Sequence, residues 1–264
     1  MKIIVSDLDG TLLDIRTYSF EAARPALAAL RCQKVPLVLC TSKTRAEVEM
    51  WRDRLGNQHP FIVENGGALY LPRGYFPFAV PGCRPRGDYD VIEFGTPYEE
   101  LVAILQAASR ESGCRVLGFH ELSVEELSLR SHLPREQAAL AKQRDYDEPF
   151  ELLGAGVYRL VEAIERRGMR WTRGDRYYHI TGDNDKATAL RRLSALYRQA
   201  YGELTVVALG DGWNDVGFLS AADRPVLVRS EYVAVLKRAL PHGVVTSAPG
   251  PYGWNEAVLA VLAA

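Results

Sequence analysis

The chain has 264 residues, enough for one large domain or two modest ones that each bury a core. Its 47% hydrophobic and 25% charged residues are those of an ordinary globular protein, and its apolar runs fall far short of the ~20 residues a membrane-spanning helix needs. A net charge of −1 argues against the basic face that nucleic-acid binding uses, so the expected partners are small molecules, with no nucleic acid and no membrane.

The N-terminus opens on KIIVS (2–6), a strand pattern rather than a basic segment followed by an apolar stretch and a cleavage site, and a cytoplasmic location is expected. VPLVLC (35–40) and TVVALG (205–210) are likewise short, apolar and rich in β-branched residues, as in strands buried on both faces of a parallel sheet. Between and after them, 20–31, 44–55 and 185–201 carry apolar residues at helical spacing. Strand then helix, repeated, predicts an α/β fold with a doubly wound parallel sheet.

The middle breaks this rhythm. DVIEF (90–94), a helix over 98–112, CRVLG (114–118), polar helices near 123–129 and 134–143, YDEPFELL (146–153), a helix near 156–167 and the strands MRWTR and RYYHI, joined at Gly174-Asp175, predict an inserted smaller α+β unit. Gly- and Pro-rich 72–87 and HITGDND (179–185) are the expected linkers. The division is therefore a core of 1–82 and 184–264 and an insertion of 83–183. Asp183 and Asn184 are expected to cap the helix that follows. Cys32, Cys40, Cys83 and Cys114 are scattered without a C-x-x-C pair, as expected of buried free thiols. No pattern in the chain specifies an oligomer.

Three strands end in polar clusters: SDLDGT (6–11), TSKT (41–44) and GDGWND (210–215). The carboxyl ends of parallel strands form the ligand crevice of an open α/β sheet, so these clusters are expected to converge. That gathers Asp7, Asp9, Asp211 and Asp215, and four carboxylates together need a cation. Hard oxygen ligands without Cys or His fit Mg2+ better than zinc. Such a site suits phosphate, with Thr41, Ser42 and Asn214 as donors. Of 32 basic residues only six are lysines, so Lys43 and Lys186 at the crevice suggest that a compact charge is wanted there. An Asp-x-Asp-Gly alone could be a surface turn. The other clusters, in register with it, make a site the better expectation.

Taken together these residues resemble the haloacid dehalogenase (HAD) superfamily, with DLDGTLLD, Thr41, Lys186 and GDGWND standing as its four motifs in order. The resemblance spans the chain and implies a HAD-like core with an inserted α/β cap. A closer resemblance, in TSKT, ENGG (64–67), YDEPF (146–150), DNDK (183–186) and PGPYGWNEAV (249–258), is to the mannosyl-3-phosphoglycerate phosphatases. It implies hydrolysis of that ester to mannosylglycerate. A glucosyl-3-phosphoglycerate, sucrose phosphate or hexose phosphate phosphatase, or a phosphohexomutase, shares much of the pattern. By resemblance, Asp7 is the nucleophile, Asp9 the general acid and base, and Lys186 the residue that keeps Asp7 ionised. Asp7, the Asp9 carbonyl, Asp211 and Asp215 then surround the metal. The cap segments bring Arg144, Arg176 and Glu148 over the site, where a solvated charge and a substrate contact are both open. His179 is expected first as a satisfied histidine, with substrate contact as the alternative. Hinge motion is expected at 81–87 and 180–184.

Overall fold

The computed structural model describes residues 1–174 and 176–263. In the N-terminal part, β1 (Lys2–Ser6), α1 (Arg24–Cys32), β2 (Leu37–Cys40), α2 (Arg45–Leu55) and β3 (Phe61–Val63) alternate as expected, followed by β4 (Ala68–Pro72), β5 (Arg84–Arg86) and β6 (Tyr89–Glu93). The middle contains α3 (Tyr98–Ser112), β7 (Val116–Gly118), α4 (Val124–Ser131), α5 (Arg135–Ala141), β8 (Asp147–Leu152), α6 (Val157–Glu165), β9 (Arg170–Arg173) and β10 (Tyr178–Thr181). The chain closes with α7 (Lys186–Tyr201), β11 (Thr205–Gly210), α8 (Val216–Ser220), β12 (Arg224–Arg229), α9 (Val233–Ala239), β13 (Val244–Pro249) and α10 (Gly250–Ala263).

Among the described residues, nine strands form the main sheet in the order β13-β12-β11-β1-β2-β3-β4-β6-β5. The run from β13 to β3 is parallel, and β4, β6 and β5 extend it antiparallel. The alternation of β1 explains why both faces are covered. Ile4 points into an apolar cluster with α1, α2 and α10 through Leu30, Trp51 and Trp254. Ile3 and Val5 point into another with α7 and α8, through Leu190, Leu193 and Phe218. A strand whose successive residues are all apolar fits only such a two-sided burial. The second sheet, β7-β8-β10-β9, is antiparallel, with α3 and α6 packed against it and α4 and α5 grouped around Phe119 and Leu127. The architecture is thus a doubly wound α/β core with a smaller α+β cap inserted.

One expected boundary moves. DVIEF, assigned to the insertion of 83–183, lies largely in β6, which pairs with β4 in the main sheet, Val91 opposite Tyr70. Its pattern shows a strand but not its sheet. Val91 completes one core cluster and Ile92 the other, so burial on both faces draws it to the core edge. The chain therefore leaves the main sheet after β6 and returns after β10. The two crossings run side by side, since a Cβ at Gly182 would stand 2.2 Å from Thr96 Oγ1. The expected hinge at 81–87 contains β5, at the edge of the main sheet, and does not lie at the crossing. Asp183 and Asn184 do not cap α7. Asp185 does, accepting the Thr188 N–H at 2.6 Å, while Asp183 pairs with Arg170. Of the cysteines, Cys40 and Cys114 are buried free thiols, but Cys32 is exposed. In the β9–β10 connection Gly174 donates to the Tyr177 carbonyl at 3.0 Å; Asp175 lies outside the described residues.

His120, after β7, is fixed to the cap sheet by Glu148 on β8, with Nδ1 to Oε1 at 2.6 Å. That hydrogen bond raises the imidazole above its ordinary value, against the opposing effect of burial. A histidine raised on folding contributes its full stability below its unfolded value of ~6.5 and loses it as pH rises through the folded one. His120→Gln should therefore fall furthest behind the wild type in thermal midpoint below about pH 6.5, and the gap should close as pH rises through the raised value. A gap independent of pH in a calorimetric series would contradict the assignment.

Candidate active site

The parallel pairing of β1 with β11 delivers two carboxylates to one place. Ser6 sits opposite Leu209, and the Asp7 N–H donates to the Leu209 carbonyl at 3.0 Å, so Asp7 and Asp211 leave adjacent strand ends. Beyond Asp7 the chain turns sharply, with the Leu13 N–H on the Leu8 carbonyl at 2.8 Å and Gly10 at φ +76°. Glycine is required twice over, because a Cβ there would also lie 2.4 Å from Asp211 Oδ2. The turn sends Asp9 away from Asp7, towards Lys43.

Carboxylate oxygens of Asp7, Asp211 and Asp215 lie within 4.8 Å of one another. Lys186, the first residue of α7, donates to Asp7 Oδ1 at 2.6 Å and Asp215 Oδ1 at 2.7 Å, all three side chains being buried. Asp215 Oδ2 accepts the backbone N–H groups of Asp211 and Gly212 at 3.0 and 2.9 Å, and Thr11 donates to Asp211 Oδ1 at 2.6 Å. Both oxygens of Asp215 are thus already engaged, which makes it the anchor of the group. The Asp9 side chain lies outside it. Of the expected metal contributions, Asp9 retains only its backbone carbonyl.

Burial pushes the Asp7 carboxyl up to about 7, opposed by Lys186 and reinforced by Asp215 and Asp9. Burial with Asp215 and Asp7 likewise drives Asp211 well above the carboxylate range. Burial alone would lower the Lys186 ammonium, but Asp215 and Asp7 outweigh it and raise it. One ammonium therefore does not satisfy three carboxylates, two of them buried and Asp211 half-buried. The site has the charge and donor chemistry to hold a hard cation between Asp7 and Asp211.

Asp9 Oδ2 pairs with Lys43 at 2.8 Å, and Lys43 also meets Glu47 at 3.5 Å and lies over the Tyr18 ring. Asp9 Oδ1 is buried without a hydrogen-bond partner, so the pair satisfies only half of this carboxylate. Asp7, Asp9, Ser42, Lys43, Asp211 and Asn214 line a cleft of about 780 Å3. Thr41 does not. It is buried behind Ser42 with its hydroxyl accepting the Lys43 N–H at 3.2 Å. From the cap, Arg144, Arg176 and His179 all reach the cleft. Arg144 is committed to the protein, donating to the Ser42 carbonyl at 3.2 Å and facing Asp147 at 3.4 Å, and Arg176 donates to the Ser131 carbonyl. Glu148 is fully buried and turned to His120 and Tyr98, away from the cleft.

Three residues that join cap to core carried no chemical signal beyond their place in family motifs. Asn65 receives Asn214 Nδ2 at 3.2 Å and donates to Asp147 Oδ2 at 2.7 Å, whose other oxygen holds His179 Nδ1 at 2.7 Å. Glu64 and Asn65 both adopt positive φ, a conformation seldom taken outside glycine. The following Gly66 and Gly67 allow Asp185 and Tyr146 to pack directly on the turn. Glu64 accepts the Asp145 and Tyr146 N–H groups, and burial pushes its carboxyl up to about 8 against the pull of Arg144.

The family profile of haloacid dehalogenase-like hydrolases matches residues 4–75. The glucosyl-3-phosphoglycerate/mannosyl-3-phosphoglycerate phosphatase of Methanococcoides burtonii is 42% identical over 263 residues, covering 97% of this chain and 96% of the relative. The chain belongs to this phosphatase family. A mannosyl-3-phosphoglycerate phosphatase of Pyrococcus furiosus is 37% identical over 86% of this chain and 91% of its own length. The fold matches a HAD superfamily phosphatase from Bacteroides thetaiotaomicron at a TM-score of 0.68 and 20% identity, over 100% of this chain and 95% of that one. The chain is accordingly a phosphoric monoester hydrolase, and these two relatives are named for glucosyl- and mannosyl-3-phosphoglycerate.

Gly10→Ala would force a strained φ and a Cβ against Asp211. It should lower the unfolding free energy by about 1–3 kcal/mol, read as a shift in the urea midpoint. An unchanged midpoint would show that the turn does not depend on glycine.

Proposed function

We propose that the protein is a magnesium-dependent phosphatase that hydrolyses mannosyl-3-phosphoglycerate to mannosylglycerate and phosphate through an aspartyl-phosphate on Asp7, with the glucosyl ester as a second substrate. The observation that carries this is the buried Asp7 carboxylate held by Lys186 at the floor of the cleft, in a chain 42% identical end to end to a phosphatase named for both esters.

Asp7 is the nucleophile. A free Asp7 oxygen attacks phosphorus, the bond from phosphorus to the glycerate oxygen breaks, and Asp9 gives that oxygen its proton. Water then attacks the phosphorus of the acyl phosphate while Asp9 takes a proton from it, and phosphate leaves with Asp7 restored. Dividing the transfer lets one residue serve as acid and then as base. Lys186 orients Asp7 by occupying Oδ1 and supports its charge. Asp215 fixes Lys186 from the other side. Asp7, the Asp9 carbonyl and Asp211 would hold Mg2+, which when bound offsets negative charge on the phosphoryl oxygens. Ser42 and Asn214 are placed to donate to phosphate, and Thr41 sits one layer behind them. The cap, taken as 95–183, closes over the leaving group and limits the access of water.

Phosphate release from mannosyl- and glucosyl-3-phosphoglycerate, hexose phosphates and sucrose phosphate, with and without magnesium, tests this directly. Turnover should require the metal and favour the two phosphoglycerates, and Asp7→Asn should lose at least about 1,000-fold in kcat while keeping its fold. Preference for hexose phosphates, or substantial turnover by the variant, would contradict the proposal. Magnesium should also raise the thermal midpoint of the wild type, since a ligand bound only to the native state stabilises it. Asp211→Asn should lose that response.

A further inference from the structure

The two walls of the cleft differ in charge. Among the described residues, every carboxylate that lines it comes from the core, Asp7, Asp9 and Asp211 among them, whereas the charged groups lent by the cap are Arg144, Arg173 and Arg176, joined by His179. A phosphate monoester alone needs its counter-charges at the core floor. A basic second wall fits a substrate with another negative group in its leaving portion.

Of these cap groups His179 is the one most firmly aimed. Its Nδ1 lies 2.7 Å from Asp147 Oδ1, and Asp147 is fully buried, held on its other oxygen by Asn65 at 2.7 Å. Burial alone would raise the Asp147 carboxyl, yet His179, Arg144 and Asn65 together hold it below its ordinary value. A charged Asp147 accepts a hydrogen bond from Nδ1–H and fixes the ring, leaving Nε2 as the free edge. Nε2 has no hydrogen-bond partner in the protein among the described residues, and a Cβ at Gly174 would stand 3.2 Å from it, so glycine keeps that edge clear. By contrast Arg144 is spent on Ala141, Ser42 and Asp147, and Arg173 lies over the Tyr178 ring.

We propose that His179, oriented by Asp147, is a specificity-determining residue whose Nε2–H hydrogen-bonds a carboxylate in the leaving group of the substrate. Both ring nitrogens then donate, one to Asp147 and one to the ligand. The inference deepens the phosphoglycerate assignment and rests on it for the identity of that carboxylate. Asn65 and Asn214 extend the same chain of hydrogen bonds to the loop after β11, so the cap group and the phosphate-side loop are positioned together.

The test compares kcat/KM for mannosyl-3-phosphoglycerate, 3-phosphoglycerate and glycerol 3-phosphate in the wild type, His179→Ala, His179→Gln and Asp147→Asn, all with magnesium. The ratio of 3-phosphoglycerate to glycerol 3-phosphate reads the carboxylate alone. His179→Ala should reduce that ratio by about tenfold or more, chiefly through KM, as expected for a lost charge-assisted hydrogen bond. His179→Gln, which keeps a donor near Nε2, should recover part of it, and Asp147→Asn should reduce it in the same direction. An unchanged ratio, with both monoesters losing equally, would reduce His179 to a structural role and overturn the proposal. A wild type with no preference for the carboxylate would overturn it too. If the wild type prefers 3-phosphoglycerate and the variants lose that preference, but mannosyl-3-phosphoglycerate is not hydrolysed, the mannosyl assignment falls while the carboxylate contact is supported.

Discussion

The ammonium of Lys186 between Asp7 and Asp215 is the constraint on which the site depends. Taking an ion out of water costs several kcal/mol, and the arrangement is tolerable only because each charge faces another at hydrogen-bond distance. A lysine at the first position of a helix also opposes the helix dipole. Nothing in local helix preference selects it there. Its position is understandable only through the two carboxylates that the neighbouring strand ends bring beneath it.

That demand fixes much else. β1 and β11 must be adjacent and parallel for Asp7 and Asp211 to meet, and the turn that carries Asp215 folds back so that its carboxylate accepts the Asp211 and Gly212 N–H groups. Helix α7 must begin under the turn that ends β3, where Gly66 lets the Asp185 carbonyl approach. Glu64 on that turn receives two N–H groups of the chain entering β8, and Asn65 receives Asn214. The cap is thereby tied to the core by buried polar contacts, beside which Tyr146 packs into a core cluster and Tyr18 against the cap cluster.

Much of this was legible in the chain. β1, β2 and β11 are apolar throughout because both their faces are buried, and polar clusters follow each of them because strand ends face the crevice. The strand-end rule therefore brought Asp7 and Asp211 together, while Lys186 was added by the scarcity of lysine in the chain and by the family resemblance. Strand membership was not legible: Val91 and Ile92 mark a strand equally well in either sheet, and only their burial in the two core clusters assigns β6 to the edge of the main one. Nor was the commitment of Arg144 to Ser42 and Asp147, or of Glu148 to His120, since a charge in a cap segment carries no sign of its partner. The withdrawal of Thr41 behind Ser42 is below what a pattern resolves, because both residues directly follow β2. Asn65 was hidden differently, because a left-handed asparagine beside glycine reads as a turn whether or not it bridges two domains.

The central claim is that phosphorus becomes bonded to the buried carboxylate beside Lys186. The most direct measurement is acid quenching of the wild type during turnover of mannosyl-3-phosphoglycerate, followed by peptide mass spectrometry. The account predicts a phosphoryl group on Asp7 that is lost under mild alkali, as an acyl phosphate should be. A phosphoryl group on another residue, or rapid turnover with no modified peptide at any quench time, would contradict it.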